Sequence, residues 1–217
     1  MKKFAFVSDF DGTLSSKDFY HIIIDKYLGE EGKKLYFEWK KTKKINVEFL
    51  NKVFGSINLS EKQIFDEIIK IPIDTHAKDF INNVRRNGGD FFIVSAGTSY
   101  YIKILFEHLS IKDAEIISME GVYKNGGIEI MPDPGSPYYS EVFGLDKRKV
   151  VESIKKDYEY IIFAGDSEPD LGAAKAADMV YARGELPGLL QKENVRFMTF
   201  SDFKEIENDL LEKEWLG

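Results

Sequence analysis

The chain of 217 residues has no cysteine. That single absence excludes disulfides, thiolate zinc sites, iron–sulfur clusters and a cysteine nucleophile. It permits a reducing compartment, and the cytoplasm is the expected location. Basic excess is also missing: 30 Lys+Arg stand against 37 Asp+Glu, a formal charge of −7. A dedicated nucleic-acid binder needs the opposite balance to displace counterions from phosphate, so nucleic acid is not an expected partner. Long apolar runs are lacking too. The longest, near residues 160–165 and 91–94, are strand-sized and well short of the ~18–20 residues that span a bilayer, so no membrane partner is expected. The basic start Met1-Lys2-Lys3 leads into a short apolar stretch that Asp9 interrupts, which does not fit a signal peptide. Repeats and low-complexity tracts are absent. What is present is an ordinary globular composition, 43% hydrophobic, 31% charged and 14% aromatic, with room for one domain carrying an insert or for two small ones.

The pattern changes once along the chain. Phe4–Ser8 is a short β-leaning apolar run that stops at Asp9-Phe10-Asp11-Gly12-Thr13, a turn-like cluster. From about residue 17 to 71 apolar residues recur at helical spacing, predicting helices over 19–28, 33–41, 47–54 and 64–71. Ser60 with Gln63 fits a capping box for the last of these, and the basic run at 40–44 reads as a solvated helix end. Strand–helix alternation follows: helix 76–87, strand 90–95, helix 100–109, strand 114–118, helix 147–156, strand 160–164, helix 169–177, and strands 180–182 and 195–199. Residues 121–123 and 128–131 form a hairpin about Lys124-Asn125-Gly126-Gly127, and Asp202 with Glu205 caps a last helix ending near Lys213. The expected fold is α/β: a Rossmann-like doubly wound parallel sheet (residues 1–15 and 77–217), with an inserted helical-bundle cap (16–76) and a small β-hairpin insert. Such sheets bind ligands beyond the carboxyl ends of their strands.

Three polar clusters follow three predicted core strands: Asp9 to Thr13, then Ser95-Ala96-Gly97-Thr98, then Gly165-Asp166-Ser167-Glu168-Pro169-Asp170. A parallel sheet brings all three to one edge. Asp9 and Asp11 lean to the same side of extended backbone, and close carboxylates repel unless a cation or proton intervenes. A hard divalent cation with oxygen ligands resolves this, and Mg²⁺ suits a site of few carboxylates plus a substrate phosphate. Gly12 allows a tight turn that leaves amide N–H groups at the edge. Thr13 and Ser95 offer hydroxyls and Lys147 a positive charge, all phosphate-binding groups. Each residue also has a plainer reading: Asp-Gly is a common turn, Asp166 could cap the next helix, Asp170 suits a first helical turn, and Lys147 adjoins Arg148 and Lys149 on what could be a solvated face. His21, His76 and His108 show no ligand spacing. Tyr100, Tyr101 and Trp39 could border a substrate space, with core packing as the default.

Asp-Phe-Asp-Gly-Thr after a first strand, an isolated Ser after the second, a Lys, and Gly-Asp-Ser-x-x-Asp after a later strand resemble the haloacid-dehalogenase superfamily over nearly the whole chain. The second acid, Asp11, places the resemblance on the phosphotransfer branch. The helical insert resembles the cap of phosphoserine-phosphatase-like members, and among these the methionine-salvage phosphatases that act on 2-hydroxy-3-keto-5-methylthiopentenyl 1-phosphate. Asp18, the phrase Asn51-Lys52-Val53-Phe54-Gly55 and the hairpin carry that last likeness. The resemblance implies a Mg²⁺-dependent phosphomonoester hydrolase acting on a small phosphorylated metabolite, as monomer or homodimer. Asp9 would be the nucleophile and Asp11 the acid and base, with Ser95, Ala96, Gly97, Gly12, Thr13 and Lys147 around the phosphoryl group. Asp9, Asp11, Asp166 and Asp170 would surround the metal, Asp170 either through water or by holding Lys147. Asp18 and Lys52 would face the substrate from the cap. Phosphoserine phosphatase, a phosphotransferase or a catalytically idle regulatory relative are the alternatives.

Overall fold

A computed structural model describes residues 4–42 and 46–217; Lys43 and Lys44 of the basic run, and the basic residues Lys2 and Lys3, lie outside the described residues. The chain begins with β1 (Phe4–Ser8), every residue of which is buried, as a strand covered on both faces requires. A turn, Phe10–Leu14, follows, with non-helical backbone at Asp11 and Gly12. The helices α1 (Phe19–Ile23), α2 (Gly29–Thr42), α3 (Val47–Gly55) and α4 (Glu61–Ile68) come next. The sequence predicts one helix over 19–28. Instead, α1 widens into a π-helical turn, Ile24–Leu28, closed by Gly29 at φ 53°, a left-handed position that glycine adopts cheaply. Helix α2 starts earlier than predicted, with Glu30 and Glu31 in a first turn whose exposed N–H groups favour acids. The capping box of α4 is formed, Ser60 Oγ accepting from the Gln63 N–H and Gln63 Oε1 from the Ser60 N–H.

Then follow α5 (Ala77–Arg86), β2 (Asp90–Thr98), α6 (Ser99–Leu109), β3 (Ala114–Lys124), β4 (Gly127–Met131), the short ribbon β5 (Tyr139–Ser140) and β6 (Gly144–Leu145), α7 (Lys147–Ile154), β7 (Tyr160–Gly165), α8 (Leu171–Ala176), β8 (Met179–Ala182), α9 (Leu186–Lys192), β9 (Met198–Thr199) and α10 (Phe203–Glu212). The main sheet runs β4-β3-β2-β1-β7-β8-β9. Every pair is parallel except β3–β4. No helix among the described residues is long and apolar enough to cross a membrane.

Several predicted elements are redrawn. β2 runs on through Ser95 to Thr98, slipping register against β3 on the way, so its polar cluster lies in an irregular strand end rather than beyond it. β3 is one strand that leaves the parallel sheet as a hairpin arm, because β4 continues to supply it with partners. The turn is as predicted, with Asn125 and Gly126 at φ 50° and 84°, the pair of positive angles that a tight hairpin needs. The 169–177 helix opens as a 3₁₀ turn, Glu168–Asp170. The 195–199 strand shrinks to β9. Helix α9 and the β5–β6 ribbon are additional to the predicted elements; Pro187 in the first turn of α9 starts that helix well.

The core holds the site still. Phe6 on β1 is fully buried, stacked on Phe91 at 5.2 Å and edge-on to Phe80 at 4.9 Å. Asp9 follows three residues on. Phe6→Ala is expected to lower unfolding stability by ~3–5 kcal/mol, read from the urea midpoint; a loss below about 1 kcal/mol would mean that the neighbouring rings collapse into the space.

Candidate active site

The sheet changes winding direction at β1, with β2 on one side and β7 on the other. Asp9 stands at that switch point, where a crevice opens beyond the strand ends. Its backbone N–H extends the β1–β7 ladder by donating to the Ala164 carbonyl at 2.9 Å. Its carboxylate Oδ1 accepts from the Phe10 N–H at 2.6 Å and lies 2.7 Å from Lys147 Nζ. Lys147, 3% exposed, opens α7, and its ammonium also donates to Asp170 Oδ1 at 2.6 Å. The other Asp170 oxygen accepts from the backbone N–H groups of Asp166 and Ser167 at 2.9 and 3.1 Å. Asp166 Oδ1 accepts from Thr13 Oγ1 at 2.8 Å. A Cβ on Gly12 would stand 2.5 Å from Asp166 Oδ2, at φ 77°, so that close approach and turn exclude other residues.

Asp11 faces another way. Its Oδ1 accepts from the Phe19 N–H at 2.9 Å, tying the turn after β1 to the start of α1, and its Oδ2 accepts from the Tyr101 hydroxyl. Ser95, 1% exposed, accepts from the Gly97 N–H at 3.0 Å, which keeps its own proton free to donate.

These groups border one cavity of about 490 Å³. Of the residues singled out in the sequence, Asp9, Asp11, Asp18, Ser95, Ala96, Gly97, Lys147 and Asp166 line it. Asp170 lies beneath them, fully buried. Gly12 and Thr13 support the cavity from behind, the carbonyl of one and the hydroxyl of the other being already engaged. Lys52 is not brought in: its ammonium sits 4.7 Å over the Trp39 ring and 3.5 Å from Glu48. The opposite wall comes from the helices between β1 and β2, through Tyr20, His21, Tyr36, Leu50 and Phe54. Tyr101 borders the cavity, while Tyr100 and Trp39 do not.

Burial pushes the Asp9 carboxyl well up from its ordinary range; Asp170 and Asp166 add to this and Lys147 opposes it. Burial, then repulsion from Asp170 and Asp18, raises Asp166 to about 7. Burial and Asp18 raise Asp11 to about 7, against the bonds from Tyr101 and Phe19. Burial alone would weaken the Lys147 ammonium, but Asp170 and Asp9 together hold it above its ordinary value. The oxygens of Asp9, Asp166 and Asp170 lie within 4.8 Å of one another. An all-carboxylate set this tight and this dry fits a hard cation.

One buttress was missed in the sequence. Arg183, just past β8, donates to the carbonyls of Gly12 at 2.7 Å, Ser15 at 3.1 Å and Ser201 at 3.1 Å. It staples the turn that carries Asp9 and Asp11. A lone Arg following a short strand at the same sheet edge was the available signal.

The family model of haloacid dehalogenase-like hydrolases matches residues 6–175. The chain belongs to this family. Among its relatives, the 2-hydroxy-3-keto-5-methylthiopentenyl-1-phosphate phosphatase of Bacillus cereus (strain ATCC 10987 / NRS 248) is 27% identical over 208 residues, 93% of each chain. A bifunctional enzyme MtnB/MtnX of Bacillus licheniformis is 26% identical over all of this chain and 52% of its own length. In fold, this haloacid dehalogenase-like hydrolase resembles a substrate-bound phosphoserine phosphatase (TM-score 0.69, 20% identity, 96% of this chain and 98% of that one) and the phospho-aspartyl intermediate analogue of a phosphoserine phosphatase (TM-score 0.69, 21% identity, 96% and 99%).

Removing Lys147 strands two buried carboxylates, Asp9 and Asp170. Lys147→Met is expected to cost ~3–5 kcal/mol of unfolding stability near pH 8 and clearly less at lower pH, where Asp9, raised by burial, more readily takes up a proton. Equal urea midpoint shifts at high and low pH would show that the ammonium does not offset the acids.

Proposed function

We propose that this chain is a Mg²⁺-dependent phosphomonoester hydrolase that acts through an aspartyl-phosphate on Asp9, with 2-hydroxy-3-keto-5-methylthiopentenyl 1-phosphate as its substrate. The observation that carries the reaction class is Asp9 itself: a buried carboxylate at the switch point, beside Lys147 and a second acid two residues on. Asp9 attacks phosphorus while the ester P–O bond breaks, and Asp11 gives its proton to the departing oxygen. Asp11, now a carboxylate, takes a proton from water; the oxygen of that water attacks phosphorus, the Asp9–phosphorus bond breaks, and inorganic phosphate leaves. Ser95, the Gly97 region and Lys147 bind phosphoryl oxygens. Asp9, Asp166 and the Asp11 carbonyl would hold Mg²⁺, whose charge lets one anion approach another. Both Asp170 oxygens are already engaged by Lys147 and two backbone N–H groups, which supports a role in holding Lys147 rather than direct ligation. Residues 16–76 act as a cap that excludes water and reads the leaving group.

The wall facing the leaving group favours a substrate whose leaving group is uncharged and partly apolar over phosphoserine. Among the described lining residues, Lys147 is held by Asp9 and Asp170, and Lys40 pairs with Glu185 at 2.8 Å. Burial lowers the His21 imidazole. A substrate carboxylate would find no uncommitted cation there, while Phe54, Leu50, Tyr20 and Tyr36 offer apolar surface.

With Mg²⁺ and 4-nitrophenyl phosphate the protein is expected to release phosphate, and Asp9→Asn to release none above background; turnover by that variant would remove Asp9 as nucleophile. In a substrate panel the methionine-salvage ester should exceed phosphoserine in kcat/KM by at least about 10-fold, and the reverse order would overturn the substrate. Metal binding has its own signature. Asp9 and Asp166 hold their protons more tightly folded than unfolded. Their contribution to stability is therefore present below the unfolded values and lost as pH rises through the raised folded ones, about 7 for Asp166. A cation replaces those protons. Mg²⁺ at about 100 times its Kd is thus expected to add ~2.7 kcal/mol near pH 8, seen as a raised Tm, and much less near pH 5; a pH-independent shift would place the ion elsewhere.

A further inference from the structure

We propose that Tyr101 is a positioning residue, its hydroxyl fixing the Asp11 carboxyl in the orientation from which a proton reaches the leaving oxygen. The inference rests on the reading of Asp11 as the acid. An aspartate side chain has two free torsions, and a proton donor must lie within hydrogen-bond reach of its acceptor; displacement by about 1 Å can cost ~10²-fold. Asp11 is held at both oxygens. The Phe19 N–H takes Oδ1 at 2.9 Å and the Tyr101 O–H takes Oδ2. Each donor occupies one lone pair, so a proton carried by Asp11 sits on a remaining one, and Asp11 lines the cavity.

The hydroxyl is aimed by its surroundings. Tyr101 is 2% exposed, its ring packed against Phe10, Phe19 and Phe54 at centroid distances of 5.8, 5.1 and 6.3 Å. Phe10 lies between the two acids in sequence and Phe19 supplies the other clamp on Asp11, so one aromatic cluster fixes both ends of the geometry. Gly97 completes it: a Cβ there would stand 1.9 Å from the Tyr101 hydroxyl oxygen and 3.0 Å from Asp11 Oδ2. The missing side chain at Gly97 is thus the space through which Tyr101 reaches Asp11, a use separate from any approach of phosphate.

The test separates this from mere packing. Tyr101→Phe keeps the ring and loses the hydroxyl. kcat/KM is measured with 4-nitrophenyl, phenyl and ethyl phosphate for wild type, Tyr101→Phe and Asp11→Asn. 4-Nitrophenolate departs without a proton, whereas ethoxide needs one as its P–O bond breaks. Tyr101→Phe is expected to lose less than about 3-fold on the nitrophenyl ester and about 10- to 100-fold on the ethyl ester, part of the ~10²–10⁴ that acid catalysis supplies, with KM little changed. Asp11→Asn should show the same slope, more steeply. A uniform loss across the three esters, or none, in Tyr101→Phe with Asp11→Asn still graded overturns the positioning role alone. A flat profile in Asp11→Asn overturns the reading of Asp11 as well.

Discussion

Asp9, Asp166 and Asp170 hold carboxylate oxygens within 4.8 Å of one another in a region nearly closed to water. Like charges about 4 Å apart repel by ~4 kcal/mol at an effective dielectric of ~20, and desolvation adds to the strain. The Lys147 ammonium, shared between Asp9 and Asp170, offsets part of this. The remainder appears as carboxyls that hold their protons more tightly than usual, Asp166 up to about 7. Such a centre has the oxygen donors that suit a hard cation. The overall charge of −7 says little about such a place, since the local sum is set by side chains whose geometry the sheet edge dictates.

That geometry is maintained largely through the backbone. The β1–β7 ladder continues through the Asp9 N–H, the Arg183 guanidinium clasps the carbonyls of Gly12 and Ser15, and Asp170 ties the backbone after β7 to Lys147 at the head of α7. Asp11 has a second tie, since the Phe19 N–H joins it to the first helix of the insert. The acid and the wall facing it are consequently mechanically linked, so a shift of α1 is felt at Asp11.

The arrangement was largely legible from residues whose type and place both matter. Asp9, Asp11, Ser95, Lys147 and Asp166 could be read because each follows an apolar strand or opens a helix, and parallel strands gather their ends. Asp170 was legible as an acid, though its use depended on where its two oxygens point. Lys52 misled: its position suggested the pocket, but helical geometry sends it to Trp39 and Glu48. The hydrogen bonds of Arg183 and Tyr101 were illegible for a shared reason, although Tyr101 itself could be read as a residue beside the substrate space. Their partners lie far off in sequence, a carbonyl at Gly12 and a carboxylate at Asp11, and no local pattern announces a long-range hydrogen bond. The long β3 and the slipped end of β2 were missed likewise, because what extends each of them is its neighbour.

Asn51 on α3 has a wider consequence. Its side-chain amide donates to the Ile130 carbonyl at 3.0 Å and accepts from the Ile130 N–H at 2.7 Å, as a partner strand would. β4 is the outermost strand of the sheet on that side, and an open strand edge is a template for pairing with other chains. Asn51 masks part of it. At the far margin β9 offers only two residues, Met198 and Thr199, too short a stretch to recruit a stranger. The helical insert thus occupies part of the outer sheet edge as well as facing the cavity.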